Sequence, residues 1–258
     1  LLESYLPTDK QIGQITTADL ENHLYWMENE RDVPCSPKTL SRRITSIKSF
    51  FRWLFESGVL KSNPADPIIQ KPVASRLPHA LTQSEYRLAL EAARAIRDGA
   101  KADPRPLVLF QLVLETALKK GECLSLMVEH LEIDDPKNAA LHVRYSNPRY
   151  RYKERRLPLS QDWVEAYTDY AQQYDIKDQV FPWSQRRLEY LLSDIAEEAK
   201  FEKNISFDSL RWTSAVIDLS KGVDPDSIRQ KLGISKIQWR DVQERLHKIA
   251  EEYDYTLS

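Results

Sequence analysis

A dense group of cations stands between residues 144 and 156 of the sequence. Six cations surround one carboxylate, Glu154, and they are Arg144, Arg149, Arg151, Lys153, Arg155 and Arg156. Like charges at this density repel one another unless an anionic partner relieves them. Three interleaved tyrosines offer stacking surfaces and contacts to sugars, namely Tyr145, Tyr150 and Tyr152. The combination favours binding to nucleic-acid phosphates over simple solvation.

A second cationic group is spaced for one face of a helix. Ser36 is a strong N-cap, Pro37 suits the first helical position, and Gly58 suits the end of the same helix. The apolar stripe of this predicted helix consists of Leu40, Ile44, Ile47, Phe51 and Leu54. Its opposite side carries Lys38, Arg42, Thr45, Ser49 and Arg52. Such a strip can follow a phosphate backbone or enter a major groove, and an ordinary solvated helix face is the alternative.

The histidines and cysteines indicate no metal chemistry. The five histidines lack the spacing of metal ligands, and Cys35 stands far from Cys123 in the sequence. We therefore predict no metal site. Two widely separated cysteines are typical of the reduced thiols of a cytoplasmic protein.

The elements that must position these residues form two predicted units. The first is helical, with a capping box at Thr16 and Asp19. Prolines without periodicity mark a boundary between residues 62 and 80. We predict a first domain at 1–72, a linker at 73–80 and a second domain at 81–258.

The second unit is predicted to be mixed. A helix begins at a capping box of Thr82 and Glu85, and an apolar helix runs from Asp103 to Leu118. Further segments are expected as strands at 131–134, 140–145 and 155–159, and as helices near 160–173, 185–199, 209–220, 225–232 and 237–252. The predicted fold class is mainly α with a small antiparallel β-sheet.

Composition sets broad limits on the class of protein. The chain has 258 residues, 41% apolar content and a net charge of −2, so any basic surface must be local. No apolar run approaches the roughly 20 residues of a membrane span, and no signal peptide opens the chain. We expect a soluble cytoplasmic protein that does not contact membranes. Because the first residue is Leu1, we also expect a piece of a longer chain.

Three separated boxes resemble the tyrosine recombinases of the phage-integrase family. Residues 206–233 resemble the family's His-x-Leu-Arg-His-Thr box, the Gly-Val that follows and the Leu-Gly-His motif, and residues 116–122 resemble its Thr-Gly-Leu-Arg-x-x-Glu box. Residues 153–159, Lys-Glu-Arg-Arg-Leu-Pro-Leu, resemble its Lys-Glu-Arg-x-Val-Pro-Leu strand. The resemblance implies a helical core-binding domain, a catalytic-type domain with a three-stranded sheet, and double-stranded DNA as the partner.

The resemblance also implies a reaction. Such enzymes attack a DNA phosphodiester with a tyrosine hydroxyl and form a covalent phosphotyrosine, so no cofactor is needed. Two arginines hold the phosphate oxygens through bidentate hydrogen bonds. A lysine in the sheet hairpin protonates the leaving oxygen, and histidines assist proton transfer.

By this resemblance, the sequence keeps only one side chain of that catalytic set. Arg211 matches the second arginine, whereas Lys119 takes the place of the first and keeps the charge without the fork. Tyr150 takes the place of the hairpin lysine, counted back from Pro158. Its neighbours Arg149 and Arg151 stay charged at any working pH and cannot donate a proton.

The proton-transfer and nucleophile positions are substituted as well. Asp208 and Ile234 take the places of two histidines, and Gln243 aligns with the tyrosine. A carboxylate at position 208 repels phosphate unless it is paired or protonated. Tyr253 and Tyr255 are candidates for a displaced nucleophile.

These substitutions predict a catalytically impaired DNA-binding protein, related to site-specific DNA recombination and integration, that clamps duplex DNA between its domains. One alternative is an active recombinase that uses Tyr253 or Tyr255. Another is an architectural protein-interaction module without DNA binding. The resemblance implies self-association through the C-terminal helix, with Leu246 and Ile249 as contacts, and an active recombinase is a further candidate partner.

Overall fold

The computed structural model describes residues 1–71, 77–253 and 255. The chain divides into two compact units, Leu1–Arg76 and Leu77–Ser258. Residues 73–76 of the predicted linker lie outside the described residues.

The first unit is helical. Its helices are α1 (Leu2–Tyr5), α2 (Thr17–Asn29) and α3 (Pro37–Glu56), with a short 3-10 helix at Ile12–Gln14. The predicted capping box of α2 is confirmed, because the Thr16 hydroxyl accepts the Asp19 N–H and the Asp19 carboxylate accepts the Thr16 N–H at 2.8 Å. These bonds satisfy N–H groups that the first turn leaves free.

Helix α3 buries the apolar stripe expected from the sequence. Ser36 caps it and Pro37 is its first residue. Its buried residues are Ile44, Ile47, Phe51 and Leu54, which share one cluster with Leu20 and Leu24 of α2, and Leu40 of the predicted stripe is partly buried against that cluster. The basic strip is therefore left on the other face, where it is free to meet solvent or a ligand.

The second unit contains eight α-helices and three strands within its described residues. The helices are α4 (Gln83–Asp98), α5 (Arg105–Thr116), α6 (Lys120–Leu124), α7 (Gln161–Gln173), α8 (Gln185–Glu198), α9 (Phe207–Ser220), α10 (Pro225–Leu232) and α11 (Lys236–Glu252). Helix α5 ends two residues before the predicted Leu118, because Ala117 takes a left-handed conformation with φ +51° and closes the helix.

The sheet has the order β1-β2-β3 and is antiparallel throughout. Its strands are β1 (Leu131–Glu132), β2 (Ala140–Val143) and β3 (Arg155–Pro158), each shorter than predicted. The β2–β3 ladder ends at Val143, and beyond it the Tyr145 N–H donates to the Glu154 carboxylate at 3.0 Å. A 3-10 helix, Pro148–Lys153, fills the connection between these strands.

Helix α5 lies at the centre of this unit, and nine of its twelve residues are buried. It contacts α4, α7, α8 and α9. A second cluster joins α9, α10 and α11, and Leu246 and Ile249 of α11 lie in it with 1% of their surface exposed. In this structure both side chains are buried in the same cluster as Val216 and Ile228 of their own chain, so they are not exposed for the predicted contact, and self-association through the C-terminal helix stays a prediction.

Candidate functional site

Cations from four parts of the second unit converge on the C-terminal end of α10. Four consecutive backbone carbonyls, those of residues 231–234, each accept a hydrogen bond from a different cation. The pairs are Arg155 Nε to Lys231 O at 3.0 Å, Arg211 Nη2 to Leu232 O at 2.9 Å, Lys119 Nζ to Gly233 O at 2.7 Å and Arg229 Nη1 to Ile234 O at 3.0 Å. A helix C-terminus attracts cations because its last carbonyls carry partial negative charge. We call Lys119, Arg155, Arg211 and Arg229 the cation cluster.

Gly233 is the residue that allows this approach. It ends α10 in a left-handed conformation with φ +61°. A Cβ atom at this position would lie 2.8 Å from Arg155 Nη1, closer than two such atoms normally come. Glycine therefore provides both the backbone conformation and the space for the Arg155 guanidinium.

Arg211 is fixed by backbone carbonyls and not by a carboxylate. Its Nε donates to Ala117 O at 2.7 Å, and its Nη2 donates to Leu232 O. Burial lowers the pKa of Arg211, while the negative charges of Glu122 and Asp208 act in the opposite direction. No ion pair with Arg211 is found in the described part of the chain. Two of its five N–H donors are used in these bonds, which leaves the others for a ligand.

Lys119 stands beside Arg211 at the start of α6. Its ammonium donates to Gly233 O and lies 3.9 Å from Glu122 Oε1, with 34% of the side chain exposed. Burial, together with the charges of Arg211, Lys153 and Arg155, lowers the pKa of Lys119 to about 8, although Glu122 opposes this shift. The position predicted for a phosphate-binding arginine thus carries an amine whose pKa is lowered to about 8.

Arg155 forms the buried ion pair that holds this region together. Its Nη1 and Nη2 donate to the two carboxylate oxygens of Glu122 at 3.1 and 2.9 Å, and the side chains are 8% and 4% exposed. Glu122 also accepts the Lys119 N–H and the Tyr145 hydroxyl. Burial raises the pKa of Glu122, but the hydrogen bonds and charge of Arg155 outweigh it and hold that pKa below its ordinary value. Because the protein already occupies the Arg155 guanidinium, this geometry argues against the predicted DNA contact of Arg155.

The 3-10 helix Pro148–Lys153 presents the other hairpin cations. Arg149 and Arg151 are exposed, and within the described ranges neither forms an ion pair. Arg144 is also exposed and pairs loosely with Glu154 at 3.5 Å.

Lys153, predicted as a DNA contact, lies beside the cation cluster and next to two of the interleaved tyrosines. Its Nζ lies 4.8 Å from the ring centre of Tyr150 and 5.3 Å from that of Tyr152. Its charge acts on Lys119, whereas Tyr150, to which counting from Pro158 assigned the lysine position, is 44% exposed. Lys153 is also the first residue of the Lys-Glu-Arg box.

A pocket beside Arg211 is lined by two of the substituted positions, Asp208 and Ile234. It is lined by Asp208, Arg211, Trp212, Leu232, Ile234 and Val242. Asp208 is exposed in the first turn of α9, and Gln243 is half-buried next to Val242 on α11. Among the described residues no histidine or tyrosine lines this pocket. The pocket offers a guanidinium, a carboxylate and apolar walls, but no hydroxyl nucleophile of its own.

The two late tyrosines lie elsewhere in the unit. The Tyr255 hydroxyl donates to Leu81 O at 2.6 Å, and burial raises the pKa of Tyr255 to about 12. The Tyr253 ring centre lies 6.5 Å from that of His79. Burial raises the pKa of Tyr253 as well. A raised pKa reduces the fraction of reactive phenolate, so both environments disfavour a nucleophile.

The predicted basic strip of the first unit is exposed on α3. Lys38, Arg42 and Arg52 reach solvent and form no ion pair within residues 1–71. Thr45 is engaged, because its hydroxyl donates to Ser41 O at 3.1 Å and accepts from Gln70 Nε2 at 3.0 Å. The strip therefore offers free cations together with a fixed hydroxyl.

The described residues form neither a cluster of metal ligands nor a helix that could span a membrane. No group of three or more potential metal ligands lies together there. None of the helices that the structure describes has the length and apolar character needed to cross a membrane.

Comparison with known proteins places this geometry among recombinases. The model of the phage integrase family matches residues 79–243. Tyrosine recombinase XerC of Lactobacillus delbrueckii subsp. bulgaricus is 25% identical over 231 residues, which cover 85% of this chain and 75% of that protein. XerD of Listeria monocytogenes is 23% identical over 271 residues, with coverage of 95% and 88%.

Solved structures agree with the mainly helical fold and its small sheet. XerH bound to palindromic difH substrate has a TM-score of 0.74 at 17% identity, and the match covers 94% of this chain and 72% of that one. The Tn1549 transposon integrase in complex with circular intermediate DNA has a TM-score of 0.67 at 14% identity, with coverage of 95% and 85%. The predicted fold class is confirmed.

Proposed function

This chain belongs to the phage integrase family, and from that premise we propose that it binds duplex DNA at the cation cluster without cleaving it. The function is related to site-specific recombination, in which the protein acts as a catalytically impaired relative of the active enzymes. The main support for this proposal is the environment of the Arg211 guanidinium. Two backbone carbonyls hold it, and it has no carboxylate partner among the described residues. It lines a pocket that contains no nucleophile.

Charge and hydrogen-bonding capacity support DNA as the ligand. Arg211 and Lys119 donate to the adjacent carbonyls of Leu232 and Gly233, which brings both charges to the same end of α10 for a phosphate ligand in this proposal. Arg149, Arg151 and Lys153 extend the positive surface along the 3-10 helix. Phosphates are the dominant partners of such cation groups in protein–DNA complexes.

The first unit supplies further phosphate contacts in this proposal. Residues 1–72 act as a helical DNA-binding domain through Lys38, Arg42 and Arg52, which are exposed and unpaired within residues 1–71. A helix face that carries cations and hydroxyl groups at intervals of three and four residues is suited to the DNA backbone or the major groove.

The groups around Arg211 support the proposed absence of cleavage. Gln243 carries an amide, which is not a nucleophile, and Ile234 can neither donate nor accept a proton. Lys119 offers one ammonium where a planar fork would bind two phosphate oxygens. Removal of one oriented donor of this kind lowers a rate by about 100-fold or more, and several positions differ here together.

Fluorescence anisotropy across a salt series tests DNA binding. We expect the affinity for duplex and four-way-junction DNA to fall steeply with salt. The Arg149→Ala/Arg151→Ala variant should show a log–log slope shallower by about 1.8, because each phosphate contact contributes about 0.9.

The matched control is Lys177→Ala/Lys248→Ala. It removes the same charge from exposed positions that are already ion-paired with Asp175 and Glu244. The control should keep the native slope. No binding at low salt would refute the proposal and favour a protein-interaction module without DNA binding.

A nicked DNA substrate tests the absence of cleavage. We expect no covalent protein–DNA adduct after denaturing electrophoresis. An adduct would contradict this part of the proposal, and its loss in only Tyr253→Phe or Tyr255→Phe would identify a displaced nucleophile.

A further inference from the structure

Lys119 differs in kind from its arginine neighbours in the cation cluster. Arg155, Arg211 and Arg229 stay charged at every pH at which the protein is folded. An ammonium is a compact charge that loses its proton readily when it is buried or crowded by other cations. The pH response of the cluster therefore depends on what surrounds Lys119.

The surroundings of Lys119 are unfavourable to its charge. The charged groups that act on it come from α6, α9, β3 and the 3-10 helix, and they are Glu122, Arg211, Arg155 and Lys153. Three of these four groups are cations. The one carboxylate, Glu122, lies 3.9 Å away and already gives both oxygens to Arg155.

The remaining partner of Lys119 is a neutral carbonyl. Its Nζ donates to Gly233 O at 2.7 Å, which compensates poorly for the loss of water around a charge. The side chain is still one-third exposed, so a ligand can reach it from solvent. The geometry thus combines an accessible amine with an environment that resists its protonation.

We propose that Lys119 makes DNA binding at the cation cluster dependent on pH, with a phosphate group held by the protonated amine and released as the amine becomes neutral. This inference rests on the proposed DNA-binding function and adds a form of regulation to the same site.

The sign follows from the charges. Lys119 binds phosphate as a cation, and its pKa in the free protein is about 8. A bound phosphate is an opposite charge and raises that pKa, so binding above pH 8 is accompanied by uptake of one proton. Affinity is therefore highest below pH 8 and falls as the pH rises, by up to tenfold per pH unit for one linked proton.

DNA affinity measured by anisotropy between about pH 7 and pH 9.5 at constant ionic strength tests this inference. The native protein should show constant affinity up to about pH 8 and a decline above it. Lys119→Arg should lack the decline, because arginine keeps its charge across this range.

Lys120→Arg is the matched control. It makes the same exchange one residue further on, at a side chain that pairs with Glu189 at 2.6 Å outside the cation cluster. This variant should retain the native decline. A direct second measurement follows the side-chain carbon resonances of the lysines, where one titration near pH 8 should disappear in Lys119→Arg.

The outcomes separate this inference from the function on which it rests. Salt-sensitive DNA binding that is constant from pH 7 to 9.5, or that declines equally in Lys119→Arg, would overturn the pH dependence and leave the DNA-binding function intact. Absence of DNA binding at low salt and pH 7 would overturn both.

Discussion

Replacement of Glu122 by alanine should strongly destabilise the second unit. The Glu122 carboxylate accepts Arg155 Nη1 at 3.1 Å and Nη2 at 2.9 Å, the Lys119 N–H at 2.9 Å, and the Tyr145 hydroxyl. Alanine removes all four acceptor interactions at once. It leaves the Arg155 guanidinium, 8% exposed, without a counter-charge.

The magnitude follows from the burial of this pair. Removal of one partner from a buried ion pair costs about 3–5 kcal/mol, because the other charge stays buried and uncompensated. The double variant Glu122→Leu/Arg155→Leu should lose less than the sum of the two single variants, since it leaves neither charge unpaired.

Urea denaturation followed by circular dichroism measures these differences. We expect a large fall in the midpoint for Glu122→Ala. Glu244→Ala is the control, because it removes a carboxylate that pairs with Lys248 at 2.6 Å on the surface, and it should unfold close to the native midpoint. Equal midpoints for the two variants would refute the buried ion pair as the support of the cation cluster.

Three further predictions concern the same unit. Gly233→Ala should destabilise it by about 1–2 kcal/mol in urea, because φ is +61° and the new Cβ meets Arg155; native-like stability would contradict this. The pKa of Glu122 is lower in the folded than in the unfolded protein, so its ion pair contributes its full stabilisation above the ordinary pKa of about 4.3. That stabilisation is lost as the pH falls through the lower pKa of the folded state. Urea midpoints should therefore fall less between pH 7 and pH 3 in Glu122→Gln than in the native protein. Tyr255→Phe removes the bond to Leu81 O and should cost about 1–2 kcal/mol without changing DNA affinity, whereas a lost affinity would place Tyr255 at the DNA.

The starts of the helices were determined by the sequence itself. The caps at Thr16, Ser36 and Thr82 all form as expected. Each depends on side chains within three residues of the cap, so the relevant atoms are neighbours in any conformation of the local chain. The order of the three sequence boxes likewise predicted the family and the fold class.

The strand lengths and the end of α5 were less accessible from the sequence. The β2–β3 ladder ends at Val143, and just beyond it the Glu154 carboxylate accepts a hydrogen bond from the Tyr145 N–H. Ala117 ends α5 in a left-handed conformation that alanine rarely adopts on its own. The first involves a hydrogen bond between residues nine apart in the hairpin, and the second is accompanied by a hydrogen bond from Arg211, 94 residues away, to Ala117 O.

Only the tertiary structure decided which cations are free to bind a ligand. Arg149 and Arg155 look alike in one basic segment, yet the first is exposed and the second is enclosed by Glu122 and Lys231 O. Lys119 and Gly233 are separated by 114 residues and meet at 2.7 Å. Sequence fixes the charge of a side chain, whereas its burial and its partners follow from distant segments that only the folded chain brings together, and these set both its pKa and its availability.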